Sequence, residues 1–175
     1  TQVTIPDTVI NVGSGAFNSC SSLVSVTIPN SIYSIGSYAF AYCFNLTNVM
    51  IPSSVVQIWN DAFIFCTNLT AITVDAQNSF FSSTNGVLFD KSRTKLLAYP
   101  GGKTGDYTAP NGVTAIGSDA FYGCDRLTSV MIPDGVTNIE EAAFQDCTSL
   151  TNATIPVGVI TINDNTFNNC SSLLN

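Results

Sequence analysis

Histidine is absent from the 175-residue sequence, and Lys, Arg, Asp and Glu together make up 10% of the chain. Without histidine the chain lacks the usual general base of nucleophilic catalysis and a common zinc ligand. Five basic residues against twelve acidic ones leave no basic stripe for phosphate contacts, so we expect no nucleic-acid partner. No apolar run reaches about 18 residues, so we expect no membrane insertion.

Patterns typical of catalytic, metal and cofactor sites are missing as well. Glu140 and Glu141 are adjacent, so their side chains point apart, and the Gly101-Gly102 pair follows a proline instead of preceding a helix. The aspartates are too far apart for a calcium loop, and no C-x-x-C pair exists. We therefore predict that the protein is not an enzyme and has no catalytic, metal-binding or cofactor-binding residues.

Internal repetition is the strongest signal that the sequence does contain. Cysteine recurs at positions 20, 43, 66, 124, 147 and 170, with Ile-Pro, Ala-Phe and Leu in fixed slots around it. The period is 23 residues except for one gap of 58, which holds a regular unit and a long unit of 35. The chain therefore contains seven turns, six regular and one long, and a 23-residue period indicates a solenoid.

The repeat unit reads L-x-x-V-x-I-P-x-x-V-x-x-I-x-x-x-A-F-x-x-C-x-x. Alternation in its first half predicts a half-buried strand that the proline ends. The A-F-x-x-C-x-x-L half has helical spacing. We predict a leucine-rich-repeat-like solenoid with a parallel β-sheet on one side, short helical turns on the other, and a column of Phe side chains in the core.

Residues 74–108 form the long unit and depart from the pattern. Two apolar runs, Val87–Phe89 and Leu96–Tyr99, flank a polar turn, which predicts a β-hairpin that projects from the solenoid. Three of the five basic residues lie on the turn of this hairpin: Lys91, Arg93 and Lys95. They are a candidate contact for an acidic partner, or they form a solvated tip that keeps the hairpin soluble.

The unit resembles the BspA-type leucine-rich repeat of bacterial and protozoan surface proteins, with residues 23–43 as one clean copy. Residues 85–91 and 96–100 resemble the G-V-L-F-x-K…L-x-x-Y-P turn of the same family. Trp59 stands where that pattern has glycine, while Ala109 and Ala153 replace strand residues. The resemblance implies a winding arc with a sheet on one side, secretion or surface display, binding to proteins or other surfaces, and no shared catalytic residues.

Both ends of the sequence fall inside a repeat. We interpret residues 1–175 as a single solenoid that is a piece of a longer protein. The six cysteines occupy one slot with their side chains pointing into the core in parallel, so we predict six free, buried thiols and neither disulfides nor a zinc site.

The outward side chains of the strands form the main candidate binding face, a flat surface rich in Thr, Ser and Asn. Its members are Ser25, Thr27, Asn48, Met50, Thr73, Asp106, Thr108, Ser129, Met131, Asn152 and Thr154. The same residues are also compatible with a plain β-sheet surface that binds nothing, because threonine favours strands.

The leading hypothesis is a non-catalytic, cell-surface or secreted interaction or adhesion module that binds an extracellular protein or glycan. The alternative is a structural spacer with no ligand, which the near-uniform repeat favours. An ice-binding surface is a minor alternative, since rows of Thr can order water, but Met50 and Met131 interrupt those rows.

Overall fold

The computed structural model describes residues 1–174, which contain short β-strands joined by turns and no α-helix. The fifteen strands are β1 (Gln2–Thr4), β2 (Asn11–Val12), β3 (Ser25–Thr27), β4 (Ser34–Ile35), β5 (Asn48–Ile51), β6 (Gln57–Ile58), β7 (Ala71–Val74), β8 (Phe81–Thr84), β9 (Val87–Asp90), β10 (Lys95–Ala98), β11 (Gly105–Thr108), β12 (Ala115–Ile116), β13 (Leu127–Met131), β14 (Asn138–Ile139) and β15 (Asn152–Thr154). Most turns of the solenoid therefore contribute two strands.

The predicted parallel strands are present at the L-x-x-V-x-I segment of the repeat. They form two sheets, one with the order β1-β3-β5-β7 and one with the order β11-β13-β15, and the long turn separates them. Equivalent residues pair, for example Val3 with Val26 and Val130 with Ala153. This register places each inward side chain above the same side chain of the preceding turn. We call the outer surface of these two sheets the strand face.

A second set of parallel strands lies on another side of the solenoid, which the sequence analysis did not predict. It comprises the sheet β2-β4-β6 and the strands β10, β12 and β14 of the sheet β14-β12-β10-β9-β8, to which the long turn adds β8 and β9 in antiparallel orientation. The strands β4, β6, β12 and β14 carry the isoleucine of the V-x-x-I segment, and Ile35, Ile116 and Ile139 are fully buried. A two-residue strand is too short to show alternation in sequence, so the expectation of a sheet on one side was incomplete.

The predicted short helical turns are wrong for the described residues. Residues around each A-F-x-x-C segment include two with left-handed backbone, such as Tyr38 (φ 57°) and Tyr42 (φ 58°), and an α-helix does not accommodate them. The Phe40 N–H donates to the Ala62 carbonyl at 2.9 Å, in the next turn, instead of to a carbonyl of its own segment. Hydrogen bonding between turns thus replaces the helix.

The predicted column of phenylalanine rings is confirmed, in two stretches. Phe17, Phe40 and Phe63 are stacked with centroid separations of 5.2 and 5.7 Å, and Phe121 lies 4.7 Å from Phe144. Two clusters of buried residues correspond to these stretches, one on each side of the long turn.

The long turn supplies a tyrosine in place of phenylalanine. The Tyr99 ring stacks on Phe121 at 4.9 Å, and the Tyr99 N–H donates to the Ala120 carbonyl at 2.7 Å, as an Ala-Phe unit would. The sequence contained a signal for this substitution, because Ala98-Tyr99 precedes Ala120-Phe121 by 22 residues, one short of the period.

All six cysteines are free thiols in the structure, and four of them are buried. Cys20, in the first turn of the described residues, is exposed and Cys170, in the last, is half-buried, so the prediction of six buried thiols holds for the four cysteines between them. The Cys66 thiol donates to the Phe40 carbonyl at 3.0 Å, and the Cys147 thiol to the Phe121 carbonyl at 3.1 Å. Cysteine in this slot therefore fills the core and also satisfies a buried carbonyl.

The predicted hairpin strands exist as β9 and β10, which pair antiparallel, and β8 pairs with β9 through the turn at Asn85-Gly86. They do not project from the solenoid, however. Leu88, Phe89 and Leu96 are at most 1% exposed, and β10 pairs in parallel with β12. The hydrophobic side chains of both strands favour burial, so the hairpin is built into the second sheet and residues 91–94 alone are exposed at its tip.

We expect the substitution Phe40→Ala to lower the free energy of unfolding by about 3–5 kcal/mol, because it leaves a cavity between two stacked rings. Phe44→Ala is the matched control, since Phe44 is 42% exposed and its removal leaves no cavity. Urea unfolding measures both variants. Equal midpoints for the two variants would contradict a buried phenylalanine column.

A thiol-specific reagent distinguishes free from bridged cysteines. Burial raises the pKa of the Cys43 thiol to about 11 and that of Cys66 to about 12, so both are unreactive at neutral pH in the native protein. We expect rapid reaction at Cys20 in the native protein and reaction of all six cysteines after denaturation without reductant. Fewer than six reactive thiols in the denatured protein would show that disulfides are present.

Candidate interaction surface

The residues proposed from the sequence as a binding face do lie together on the strand face. Paired strands align Ser25 with Asn48, and they align Asp106 with Ser129 and Asn152. Asn48, Asp106 and Asn152 are exposed, whereas Ser25 and Ser129 are half-buried. Because strand side chains alternate, the valines between these residues point into the core.

A second row of exposed side chains runs beside the first. It consists of Thr27, Met50, Thr73, Thr108, Met131 and Thr154. Met50 and Met131 are 55% and 57% exposed, and each lies beside a threonine on the neighbouring strand. A flexible apolar side chain on a hydroxyl-rich surface adds contact area that can adapt to a partner.

Threonines at the start of the strands are bound to the backbone of the preceding turn. Thr70 Oγ1 donates to the Thr47 carbonyl at 3.1 Å, and Thr151 Oγ1 donates to the Thr128 carbonyl at 2.9 Å. Thr128 Oγ1 donates to Asp106 Oδ1 at 2.8 Å. These hydroxyl protons are used internally, so each of these oxygens can act toward other groups only as an acceptor.

The long turn interrupts the strand face between β7 and β11. A shallow groove opens there, and its walls include Thr70, Asn85, Lys103, Asp106 and Tyr107. Next to this groove, Gly86 approaches β7 closely, because a Cβ at this position would lie 2.9 Å from the Ala71 Cα, and the Gly86 carbonyl accepts from the Ile72 N–H at 2.8 Å. This contact fixes the Asn85-Gly86 turn against β7.

The three bases of the hairpin do not form a free basic patch. Lys91 Nζ donates to the Asn78 carbonyl, and Lys95 Nζ forms an ion pair with Glu140 Oε1 at 2.6 Å. Arg93 lies on the exposed turn with a φ of 59°. Two of the three predicted contact residues thus bind groups of the protein itself.

The hairpin tip is ordered by one carboxylate. Ser92 Oγ and Thr94 Oγ1 donate to Asp90 Oδ2 at 2.5 and 2.8 Å, and the Lys95 N–H donates to Asp90 Oδ1 at 2.8 Å. Burial alone would raise the pKa of Asp90, but these hydrogen bonds hold it below its usual value.

Asn78 anchors the long turn, and sequence reasoning missed it. The side chain is fully buried, and its Nδ2 donates to the Pro52 and Val55 carbonyls at 2.8 and 2.9 Å. Its Oδ1 accepts from the Phe80 and Phe81 N–H groups at 2.8 Å. An asparagine without a repeat partner carries no sequence signal, so its role depends on the fold.

A cleft on the opposite side of the long turn was also missed. Its apolar wall includes Ile58 and Leu97, and two carboxyl groups, Asp61 and Asp119, line it together with Trp59. Burial is the largest cause that raises the pKa of Asp119 to about 7. Repulsion from the Asp61 charge and a hydrogen bond with Asp61 raise it further. Burial likewise raises the pKa of Asp61. Both aspartates immediately precede the Ala-Phe pair of their turns, and this shared position was the sequence signal that could have placed them on the same side of the solenoid.

The described residues show no group of three or more potential metal ligands. Residues 1–174 also contain no helix with the length and apolar character needed to cross a bilayer. The molecule is a solenoid of leucine-rich-repeat type with a flat strand face, a groove in that face and a small cleft behind it.

The profile of the BspA-type leucine-rich repeat region matches six copies, over residues 1–104 and 97–175. The chain therefore belongs to the BspA-type leucine-rich repeat family, as the resemblance predicted. No curated protein matches the sequence.

Solved structures show the same fold. A leucine-rich cell surface protein from Faecalibacterium prausnitzii is 34% identical, with a TM-score of 0.86 over 98% of this chain and 46% of that one. The pneumococcal vaccine antigen PcpA is 28% identical, with a TM-score of 0.83 over 90% of this chain and 40% of that one. A leucine-rich repeat protein from T. pallidum is 28% identical, with a TM-score of 0.60 over 99% of this chain and 78% of that one. The chain thus spans less than half of the first two.

The approach of Gly86 to β7 can be tested by Gly86→Ala. The residue has a φ of 79°, and the added Cβ would meet the Ala71 backbone, so we expect a loss of about 1–3 kcal/mol in the free energy of unfolding. Gly112→Ala is the control, because nothing lies within 4 Å of its added Cβ, and we expect a change within about 0.5 kcal/mol. Equal urea midpoints would show that the long turn does not pack as described.

Proposed function

We propose that this protein is a non-catalytic, extracellular interaction module that binds a protein or glycan partner through its strand face. The observation that carries the proposal is the exposed, register-aligned pair of side-chain rows on β3, β5, β7, β11, β13 and β15. Such a rigid flat surface is ordered before binding, so association costs little conformational entropy.

Membership of the family supports the location of this module. One protein of similar structure is named as a cell surface protein and another as a pneumococcal vaccine antigen. These names describe the relatives, and neither names a partner that could be carried over. We therefore infer surface display or secretion for this chain and leave the choice between protein and glycan to experiment.

The strand face is a better candidate than the hairpin tip. Lys91 and Lys95 are engaged within the protein, so an acidic partner would have to break an ion pair to reach Lys95. The strand face, in contrast, presents Met50 and Met131 directly to solvent, beside exposed threonines such as Thr73 and Thr108. We expect a partner to contact these rows and the groove between them.

The spacer remains a second candidate, and the buried hairpin favours it. A hairpin that projected would have no role in a spacer, but this hairpin fills the second sheet and so has a structural role. In that case the turns hold other parts of a surface protein apart, and the strand face binds nothing. An ice-binding face is less well supported, because the methionines break the threonine row.

Binding can be tested by placing a charge on the strand face. The probes are a panel of purified extracellular matrix proteins and a glycan array, with surface plasmon resonance for any hit. We expect the double variant Met50→Arg/Met131→Arg to weaken binding at least about tenfold, which is about 1.4 kcal/mol, because the new charges would be desolvated in the interface. Thr137→Arg, an exposed position beside β14, is the matched control and should bind like the natural protein.

Other outcomes would identify the alternatives. Loss of binding in Arg93→Ala with no effect of the methionine variant would assign the contact to the hairpin tip. No binding across both panels would favour the spacer. A measurable thermal hysteresis of the natural protein, lost in the methionine variant, would favour the ice-binding surface.

A further inference from the structure

The third and fifth turns touch each other directly at the back of the long turn, in a contact that we call the seam. The Phe65 ring of the third turn packs over Gly123 of the fifth, where an added Cβ would lie 2.8 Å from the ring, and it meets Tyr122 at a centroid distance of 5.1 Å. The long turn passes this region as the compact Pro100-Gly101-Gly102 segment and leaves the two turns in contact.

Asp61 and Asp119 meet because of this seam. Each precedes the Ala-Phe pair of its turn, and each has a left-handed φ, of 64° and 58° respectively. In the long turn the equivalent residue, just before Ala98-Tyr99, is Leu97, which lies in the extended strand β10. The long turn therefore places neither a carboxyl group nor a left-handed residue between the two aspartates. Both line the cleft beside Trp59, and each is half-buried.

No free positive charge compensates the two carboxyl groups. Within residues 1–174, Lys95 is the one cation on the cleft wall, and its ammonium group is bound to Glu140, which also accepts from the Ser118 N–H at 3.0 Å. The other titratable groups around the pair are Tyr38, Tyr99, Tyr122 and Glu141, with Tyr42 and Asp146 farther out against Tyr122. Tyr, Asp and Glu side chains carry no positive charge, so none of these groups can compensate the pair.

We propose that Asp61 and Asp119 share one proton across the seam, and that loss of this proton as the pH rises loosens the contact between the third and fifth turns. With the proton, one carboxyl donates a hydrogen bond to the other. Without it, two negative charges face each other in a partly buried cleft. The proposal is independent of the partner and of the proposed function.

The direction of the effect follows from the titration of Asp119. Its pKa is about 7 in the folded protein, above the usual value of 3.8, so the folded state binds the proton more tightly than the unfolded state. The stability contributed by this proton is therefore present at acid pH and is lost as the pH rises through about 7.

The seam lies where both pairs of sheets are interrupted. The β1-β3-β5-β7 sheet ends on one side of the long turn, and the β11-β13-β15 sheet begins on the other. A looser seam changes how these two parts of the strand face are held relative to each other.

Trp59 is the sole tryptophan of the sequence and lines the same cleft, so its fluorescence reports on the seam directly. We expect the quenching of Trp59 by neutral acrylamide to increase between pH 5.5 and 8.5 with a midpoint near 7. Asp119→Asn and Asp61→Asn should abolish this transition. Asn fits the left-handed slot, since Asn165 occupies it in the last turn with a φ of 56°. Asp134→Asn, an exposed carboxyl outside the cleft, is the matched control.

Thermal unfolding measured at several pH values distinguishes a weaker seam from a change confined to the surroundings of Trp59. We expect the melting temperature of the natural protein to fall by a few degrees from pH 5.5 to 8.5, and the fall to be smaller in Asp119→Asn. Side-chain carboxyl NMR of the natural protein provides a readout that needs no variant, with one aspartate titrating near pH 7. No fluorescence transition in this range, a transition retained in both Asn variants, or all aspartates titrating below pH 5 would overturn the proposal.

Discussion

Backbone hydrogen bonding between successive turns is the interaction on which the rest of this structure depends. Each turn directs its N–H groups at the carbonyls of its neighbour, in both sets of parallel strands and also at the A-F-x-x-C corner, where Phe40 bonds to Ala62. A fixed period of 23 residues follows, because a turn of another length would lose register with both neighbours. The same register stacks the phenylalanine rings and places each buried cysteine thiol beside a carbonyl of the preceding turn.

The long turn shows how the solenoid accommodates a departure from that period. The twelve extra residues are accommodated by the antiparallel strands β8, β9 and β10. The Asn78 side chain makes four hydrogen bonds to backbone groups, which attach the long turn to the preceding turn and order its own backbone. Tyr99 continues the aromatic column toward the C-terminal turns. At the back, however, the third and fifth turns meet without a turn between them, and this contact brings Asp61 and Asp119 together. The irregular turn thus creates both the groove in the strand face and the cleft behind it.

A binding role is consistent with this architecture because the strand face is flat, rigid and poor in charge. Its side chains are held by register, and many of its hydroxyl protons are already used by the backbone, so it offers acceptors, methyl groups and two methionines. The hairpin bases contribute less than their clustering in the sequence indicates, since Lys91 and Lys95 bind Asn78 and Glu140. The sequence shows that these basic residues are clustered, but only the fold shows that two of them already bind groups of the protein itself.

The sequence alone determined the period, the parallel strands, the phenylalanine column, the free cysteines and the outward rows of the strand face, because each recurs in the regular turns and repetition makes weak local preferences additive. Tertiary structure decided what repetition does not encode. The helical spacing of A-F-x-x-C became a pair of left-handed turns, because hydrogen bonds to the next turn compete successfully with those inside a short helix. The hairpin was buried because its apolar side chains fill the second sheet. Asp61 and Asp119, 58 residues apart, became neighbours because the long turn leaves the third and fifth turns in contact.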